Sequence, residues 1–204
     1  MYFQITELKE KYDMESFLEL AKARYSCRKF APKMIEDEIL NQILEAGRVS
    51  PTAVNFQPQR VLVIRDEESI QKLKQSTKYT FNAPVILMVC YDMSEAWKDP
   101  FECIDIGTVD ATIAATQMML EAADLGVGST FVGHFRTKKM MEDFNIPAYL
   151  KPICLLPMGY PCKEHPAGRP CPQHKKRKAL EETVFFDTFE GIKEGPFHAR
   201  GEEH

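Results

Sequence analysis

IGTVDATIAATQMMLEAADLGVGSTFVG, residues 106–133, is the stretch on which the fold class turns. Its first part predicts a long helix over 106–125, with Ile113, Met118, Met119 and Leu120 inside, Ala and Thr allowing close packing, and Gly126 as the C-terminal stop. Gly126, Gly128 and Gly133 bracket an expected short strand over 129–133. A dinucleotide-binding fingerprint requires G-x-G-x-x-G after a strand and opening a helix. Here the glycines close a helix and enter a strand, so a Rossmann reading fails on context. The long helix is expected to be the central one of the domain.

Outward from this segment, helices are expected over 14–24, where Met14, Phe17, Leu18 and Ala21 share a face, and over 35–48. In the second, Ile35, Ile39, Leu40, Ile43, Leu44 and Gly47 recur at helical spacing after Pro32. Residues 60–65 and 84–91 read as buried strands, with Asp66 capping a short helix between them. Thr137 is expected to cap a small helix ending at Phe144, and 152–158 to form a third buried strand that stops at Gly159-Tyr160-Pro161. Helices and strands alternate without the regular period of a doubly wound sheet. Residues 1–13 read as an N-terminal extension, 14–186 as one domain and 187–204 as a tail that needs another surface to rest on.

The composition is that of an ordinary globular chain: 204 residues, 44% hydrophobic, 27% charged, with 30 acidic and 26 basic side chains giving a net charge of -4. A pI near 5.8 offers no long-range attraction to nucleic acid or to an anionic membrane, so any bound anion must be held by a local cluster of cations. The longest apolar stretch, 83–91, is far too short to span a bilayer, and the charged N-terminus has no apolar leader region. A cytoplasmic, reducing setting is therefore expected, with the six cysteines mostly as thiols; Cys90 and Cys154, inside apolar runs, are expected to pack as inert hydrophobes.

Four groups of residues are hard to explain by packing alone. In Arg24-Tyr25-Ser26-Cys27-Arg28-Lys29-Phe30, two guanidiniums flank a hydroxyl, donors suited to a phosphate or a developing anion, although cations also complement a helix C-terminus. In Ser50-Pro51-Thr52-Ala53-Val54-Asn55-Phe56-Gln57-Pro58, a turn explains Pro and Ser. It does not explain Asn55 and Gln57, which project the same way if the backbone is extended and then suit a heterocycle with donor and acceptor edges. At Gly126–Gly133, a helix stop explains Gly126 but leaves Gly128 and Gly133, where bare backbone can approach a ligand. Lys175-Lys176-Arg177-Lys178 is the fourth group, with a solvated charge run as its ordinary explanation.

In this order the four groups resemble the flavin-dependent nitroreductase family, particularly its short members, over residues 14–186. The resemblance is carried by Arg24-x-Ser26-x-Arg28-x-Phe30, Ser50-Pro51-Thr52 with Asn55-x-Gln57-Pro58, and Gly126-x-Gly128. Ile146-Pro147, Gly159-Tyr160-Pro161 and Lys175-x-Arg177-Lys178-x-Leu180-Glu181-Glu182 complete it. It implies an α+β fold, with a mainly antiparallel central sheet flanked by helices, and an interwoven homodimer holding two FMN molecules between its subunits. By the same resemblance Arg24, Ser26, Lys175 and Arg177 hold the FMN phosphate, with Tyr25 in the same cofactor-binding stretch, and Arg28 and Asn55 contact the flavin ring or ribityl chain. Pro51, Thr52 and Asn55, with Gln57, reach FMN from the partner subunit, and the backbone from Gly128 to Gly133 lies against the ring.

The implied activity is a ping-pong oxidoreduction. NADH or NADPH delivers hydride to the flavin and leaves, then a nitroaromatic, a quinone or a similar flat small-molecule acceptor takes its place. Arg28 is the catalytic candidate, a cation stabilising negative charge at flavin N1 and O2. The alternative is a flavin-binding carrier or redox sensor without turnover. A departure from the family pattern is Cys162-x2-His165 followed by Cys171-x2-His174, two thiols and two imidazoles that make a candidate zinc site or an incidental part of a solvated loop. Cys27, between Arg24 and Arg28, is expected to have a lowered thiol pKa and to be open to oxidation.

Overall fold

The computed structural model of the protein describes residues 16–101 and 104–190. The chain divides into two compact units, Met1–Cys171 and Pro172–His204. In the first, helices α1 (Phe17–Ala23), α2 (Asp37–Arg48), α3 (Glu67–Leu73), α4 (Gly107–Asp124) and α5 (Thr137–Asp143) alternate with strands β1 (Gln59–Ile64), β2 (Val85–Asp92), β3 (Gly128–Ser129) and β4 (Leu150–Gly159). The sheet runs β1-β2-β4-β3 with every pair antiparallel, which is the α+β class expected from the sequence. In the second unit, short helical turns at Pro172–Lys175 and Leu180–Glu182 precede a contact between the rings of Phe185 and Phe189, 5.3 Å apart.

All eight residues of β2 are buried. Side chains alternate across a strand, so one set faces each side of the sheet. Val85, Leu87, Val89 and Tyr91 join one core, with Leu40 and Ile43 of α2, Ala111, Ala115 and Met118 of α4, and Cys154, Leu156 and Met158 of β4. Ile86, Met88 and Cys90 join the other, with Cys27, Phe30, Leu73 of α3, Met140 of α5, Val132 and Leu155. The register pairs Leu87 with Leu156 and shifts by one residue between Val89 and Cys90.

The long helix forms one residue inside each expected bound, and Gly126 ends it with a φ of 73° that an L side chain rarely adopts. Its buried stripe differs from the expected one: Ile113 and Leu120 are half-buried, while Gly107, Ala111, Ala114, Ala115 and Ala122 lie inside with Met118 and Met119. Small residues let α4 approach the sheet closely. A Cβ on Gly107 would lie 2.0 Å from the Tyr91 ring.

Other expectations need correction. The 60–65 strand is an edge strand and only Ile64 is buried; Leu62 is 42% exposed. Helix α1 carries Phe17 and Leu18 exposed rather than on an inward face, and Met14 lies outside the described residues. Thr137 is the first helical residue instead of the cap, which is Arg136, and β3 is two residues long with one further bridge from Val132 to Leu155. The cap expected at Asp66 is present, its carboxylate accepting from the Ser69 N–H at 2.8 Å.

Because the Tyr91 ring fills the space beside Gly107, Gly107→Ala is expected to destabilise the protein by about 1–3 kcal/mol through overpacking. Urea denaturation of the variant beside wild type checks this.

Candidate functional site

The Arg24–Phe30 segment leaves α1 in extended conformation and is pinned from both sides. Ser26 bridges Ser129 of β3 in parallel, and Phe30 bridges Pro161. Cys27 N–H donates to the Ser129 carbonyl at 2.9 Å, Arg28 N–H to the Ala167 carbonyl at 2.9 Å, and the Tyr25 hydroxyl to the Gly168 carbonyl at 2.8 Å. Cys27 is fully buried, and the absent side chain of Gly128 makes room for it: a Cβ there would lie 2.8 Å from the Cys27 Cβ. The Gly128 vacancy is thus filled by protein. At Gly133 nothing lies within 4 Å of the corresponding position, so that backbone is open.

Burial also overturns the expected acidity of Cys27. Its removal from water pushes the thiol up, outweighing the nearby Arg28 charge, which acts in the opposite direction. Cys90 is likewise pushed up, to about 11, by burial, and Cys154 is raised by burial too.

Two cavities flank the segment. One of about 210 Å³ is lined by Arg24, Tyr25, Gly128, Ser129 and Lys163. The other, of about 300 Å³, is lined by Arg28, Tyr79, Phe81, Phe131, Gly133 and His134. The structure thus brings Arg24, Tyr25 and Gly128 together, and separately Arg28 and Gly133. In the second cavity Arg28 is exposed, its Nη1 3.4 Å from the Ser26 carbonyl, and Tyr79 meets His134 edge-on with ring centroids 5.6 Å apart. Aromatic walls, a guanidinium and an open peptide make a place for a flat ring with polar edges.

The 50–57 loop is not extended, so the condition under which Asn55 and Gln57 project the same way is not met. Ala53–Asn55 form a single helical turn, and Val54, Asn55 and Gln57 have φ of 52°, 58° and 54°. For a β-branched residue such as Val54 this is an outlier. Asp110 of α4 holds the turn: its Oδ1 accepts from the Ala53 N–H at 2.9 Å, while the Thr52 hydroxyl accepts from the Gln57 N–H at 3.0 Å. Asp110 is buried, and its Oδ2 has no hydrogen-bond partner among the described residues. Pro51, Thr52, Asn55 and Gln57 therefore sit on a turn tied to α4, which packs in the first core, whereas Arg28 follows Cys27 of the second. Asp110 was not among the residues singled out from sequence. An acidic residue at helical spacing among Gly107, Ala111 and Ala114 was the signal for it.

Lys175 and Arg177 lie in the second unit, where Arg177 Nη1 donates to the Lys176 carbonyl at 2.8 Å. In the candidate zinc loop, His165 Nδ1 accepts from the Ala167 N–H at 3.1 Å and the Cys162 thiol lies 3.6 Å from Glu164 Oε2. Among the described residues no three His, Cys, Asp or Glu side chains gather as a metal-binding group, so Cys162, His165 and Cys171 of the first unit do not form one. Among those residues, too, no helix is long and apolar enough to cross a membrane.

A sheet of this order, a Gly-terminated central helix and a cation beside an aromatic cavity define an α+β class of chain, and comparison with known proteins gives the class its family. The family model of the nitroreductase family matches residues 21–85 and 78–160. A Methanothermobacter thermautotrophicus protein, named as a candidate NADH dehydrogenase/NAD(P)H nitroreductase, is 31% identical over 159 residues, covering 74% of this chain and 80% of its own. The Bacillus subtilis FMN reductase (NAD(P)H) is 28% identical over 177 residues, covering 78% and 68%. Among solved structures, a nitroreductase family protein from Clostridium difficile 630 superposes with a TM-score of 0.79 at 36% identity, over 86% of this chain and 99% of that one. The chain belongs to the nitroreductase family.

Two outcomes follow from the geometry. Asp110→Ala removes the acceptor for Ala53 N–H and is expected to cost about 1–3 kcal/mol and to open the 51–57 loop to proteolysis, whereas Asp110→Asn keeps an accepting oxygen and costs less. Denaturation and limited digestion of both variants check this. With iodoacetamide at neutral pH, exposed Cys171 is expected to label while Cys27, Cys90 and Cys154 stay protected until the protein unfolds, read by peptide mass spectrometry.

Proposed function

We propose that the protein is an FMN-dependent NAD(P)H oxidoreductase that reduces nitroaromatic, quinone or similar flat acceptors in a ping-pong cycle. The observation that carries this reading is the 300 Å³ cavity, in which Arg28 and the open Gly133 peptide face the aromatic side chains of Tyr79, Phe81 and Phe131. The fit to an isoalloxazine is chemical: apolar walls for its faces, a cation for its carbonyl edge and unobstructed backbone to lie against. Bound there, FMN supplies the capacity to accept a hydride from one substrate and to pass it to the next.

The chain's own residues bind and polarise. Arg28 places a fixed positive charge beside the ring, where it favours negative charge developing on the ring's polar edge. Arg24 and Ser26 are the proposed phosphate contacts of the first unit, with Tyr25 and Gly128 lining the same side, and Lys175 and Arg177 keep their proposed role as phosphate cations. Pro51, Thr52, Asn55 and Gln57 are proposed to serve the site across a homodimer, since in one chain their loop is tied to α4 and the opposite core from Arg28. Exposed Phe17, Leu18, Val49, Val54, Phe56 and Val109 supply apolar surface for such an interface.

The visible spectrum of the purified protein, taken anaerobically before and after NADPH and then NADH, tests the reading. A flavin band that bleaches is expected; a band that persists would make the protein a flavin carrier or sensor. Arg28→Ala is expected to retain flavin and to be reduced roughly ten- to hundred-fold more slowly. Unchanged stopped-flow kinetics would remove Arg28 from its role.

A further inference from the structure

Beside the Arg28 cavity lies a larger cleft, of about 560 Å³, that the proposed chemistry leaves unused. Its walls are the turn after α3, from Lys74 to Lys78, and the segment leading into α5, from His134 to Arg136. The two walls are stapled together: Arg136 N–H donates to the Ser76 carbonyl at 2.9 Å and the Thr77 hydroxyl to the His134 carbonyl at 2.7 Å. His134 lines both this cleft and the Arg28 cavity, so the two adjoin.

The charge of the cleft is one-sided. Lys74, Lys78 and Arg136 line it, and among the described residues none of the three pairs with a carboxylate, while the chain as a whole carries a net charge of -4. Ser76 also lines it; this residue is buried, and its hydroxyl has no hydrogen-bond partner among the described residues. Unneutralised cations with an unused hydroxyl donor are the complement of a phosphate dianion, which offers several acceptor oxygens and two charges.

We propose that this cleft is a phosphate subsite that holds the 2′-phosphorylated adenosine end of NADPH and makes the protein prefer NADPH to NADH. The proposal rests on the oxidoreductase reading above: a dinucleotide with its nicotinamide in the ring cavity trails its adenosine outward, and the cleft sharing His134 receives it. Lys74, Lys78 and Arg136 neutralise the 2′-phosphate, and Ser76 donates a hydrogen bond.

The test is calorimetric binding of adenosine 2′,5′-bisphosphate, adenosine 5′-monophosphate and inorganic phosphate to the FMN-saturated protein and to Lys74→Gln/Arg136→Gln, with NADPH and NADH turnover measured beside it. The bisphosphate is expected to bind most tightly, to weaken as salt rises, and to lose about ten-fold or more in affinity in the double variant. The ratio of kcat/KM for NADPH to that for NADH is expected to fall by a similar factor. Equal affinity for the 5′-monophosphate or for inorganic phosphate overturns the 2′-phosphate assignment. An unchanged bisphosphate affinity and nucleotide preference in a variant that still bleaches overturns the subsite and leaves the flavin reading standing. A protein that binds the bisphosphate through these residues but takes up no flavin and is not reduced keeps the anion site and overturns its place in a hydride donor's path.

Discussion

The burial of both faces of β2 is the constraint on which the other elements depend. An antiparallel sheet commonly leaves one face to water. Here the strand Val85–Asp92 has no solvent face, so helices must cover both sides of the sheet. Each large apolar side chain so covered contributes roughly 1.5–3 kcal/mol relative to exposure, and β2 sends such residues alternately to each side. One side takes α2 and α4, the other takes α3, α5 and the extended segment that contains Cys27 and Phe30. The elements of the candidate site inherit this division. Arg28 stands at the rim of one core because its neighbour Cys27 is sunk in it, and the Pro51–Gln57 turn stands at the rim of the other because Asp110 is fixed on α4.

Within the Arg24–Phe30 segment, the packing of Cys27 against Gly128 does more for position than any charge. A buried side chain seated where β3 lacks a Cβ fixes the register of the segment on the sheet, which the Cys27–Ser129 backbone bond then confirms. The neighbouring residues are divided between two cavities, Arg24 to one and Arg28 to the other. The same seat that positions the cations keeps the thiol away from water.

The sequence made the long elements legible because their periodicity is a local property. The central helix, the second helix and the two strongly apolar strands lie within two residues of where their patterns put them. What it hid depends on distant partners. Val61 to Ile64 has the composition of an interior strand, and its place at the edge is a matter of strand order that no single strand encodes. The turn at Val54 is held by a carboxylate on another helix, and Cys27 is buried by a glycine on another strand. Of the candidate site, the cations and amides stood out as unusual residue types. Tyr79, Phe81, Phe131 and His134 did not, since aromatic residues scattered through loops carry no spacing until the fold gathers them.

Sharing β2 between two cores also binds them into one cooperative unit. Melting the α3–α5 side alone would strip water-shy cover from Ile86, Met88 and Cys90, and melting the α2–α4 side would do the same to Leu87, Val89 and Tyr91. Neither layer can loosen while the other stays whole without exposing half of the same strand. The amides of β2 are therefore the ones whose exchange with solvent requires the entire domain to open, while the edge strand and the surface turns exchange through local fluctuations.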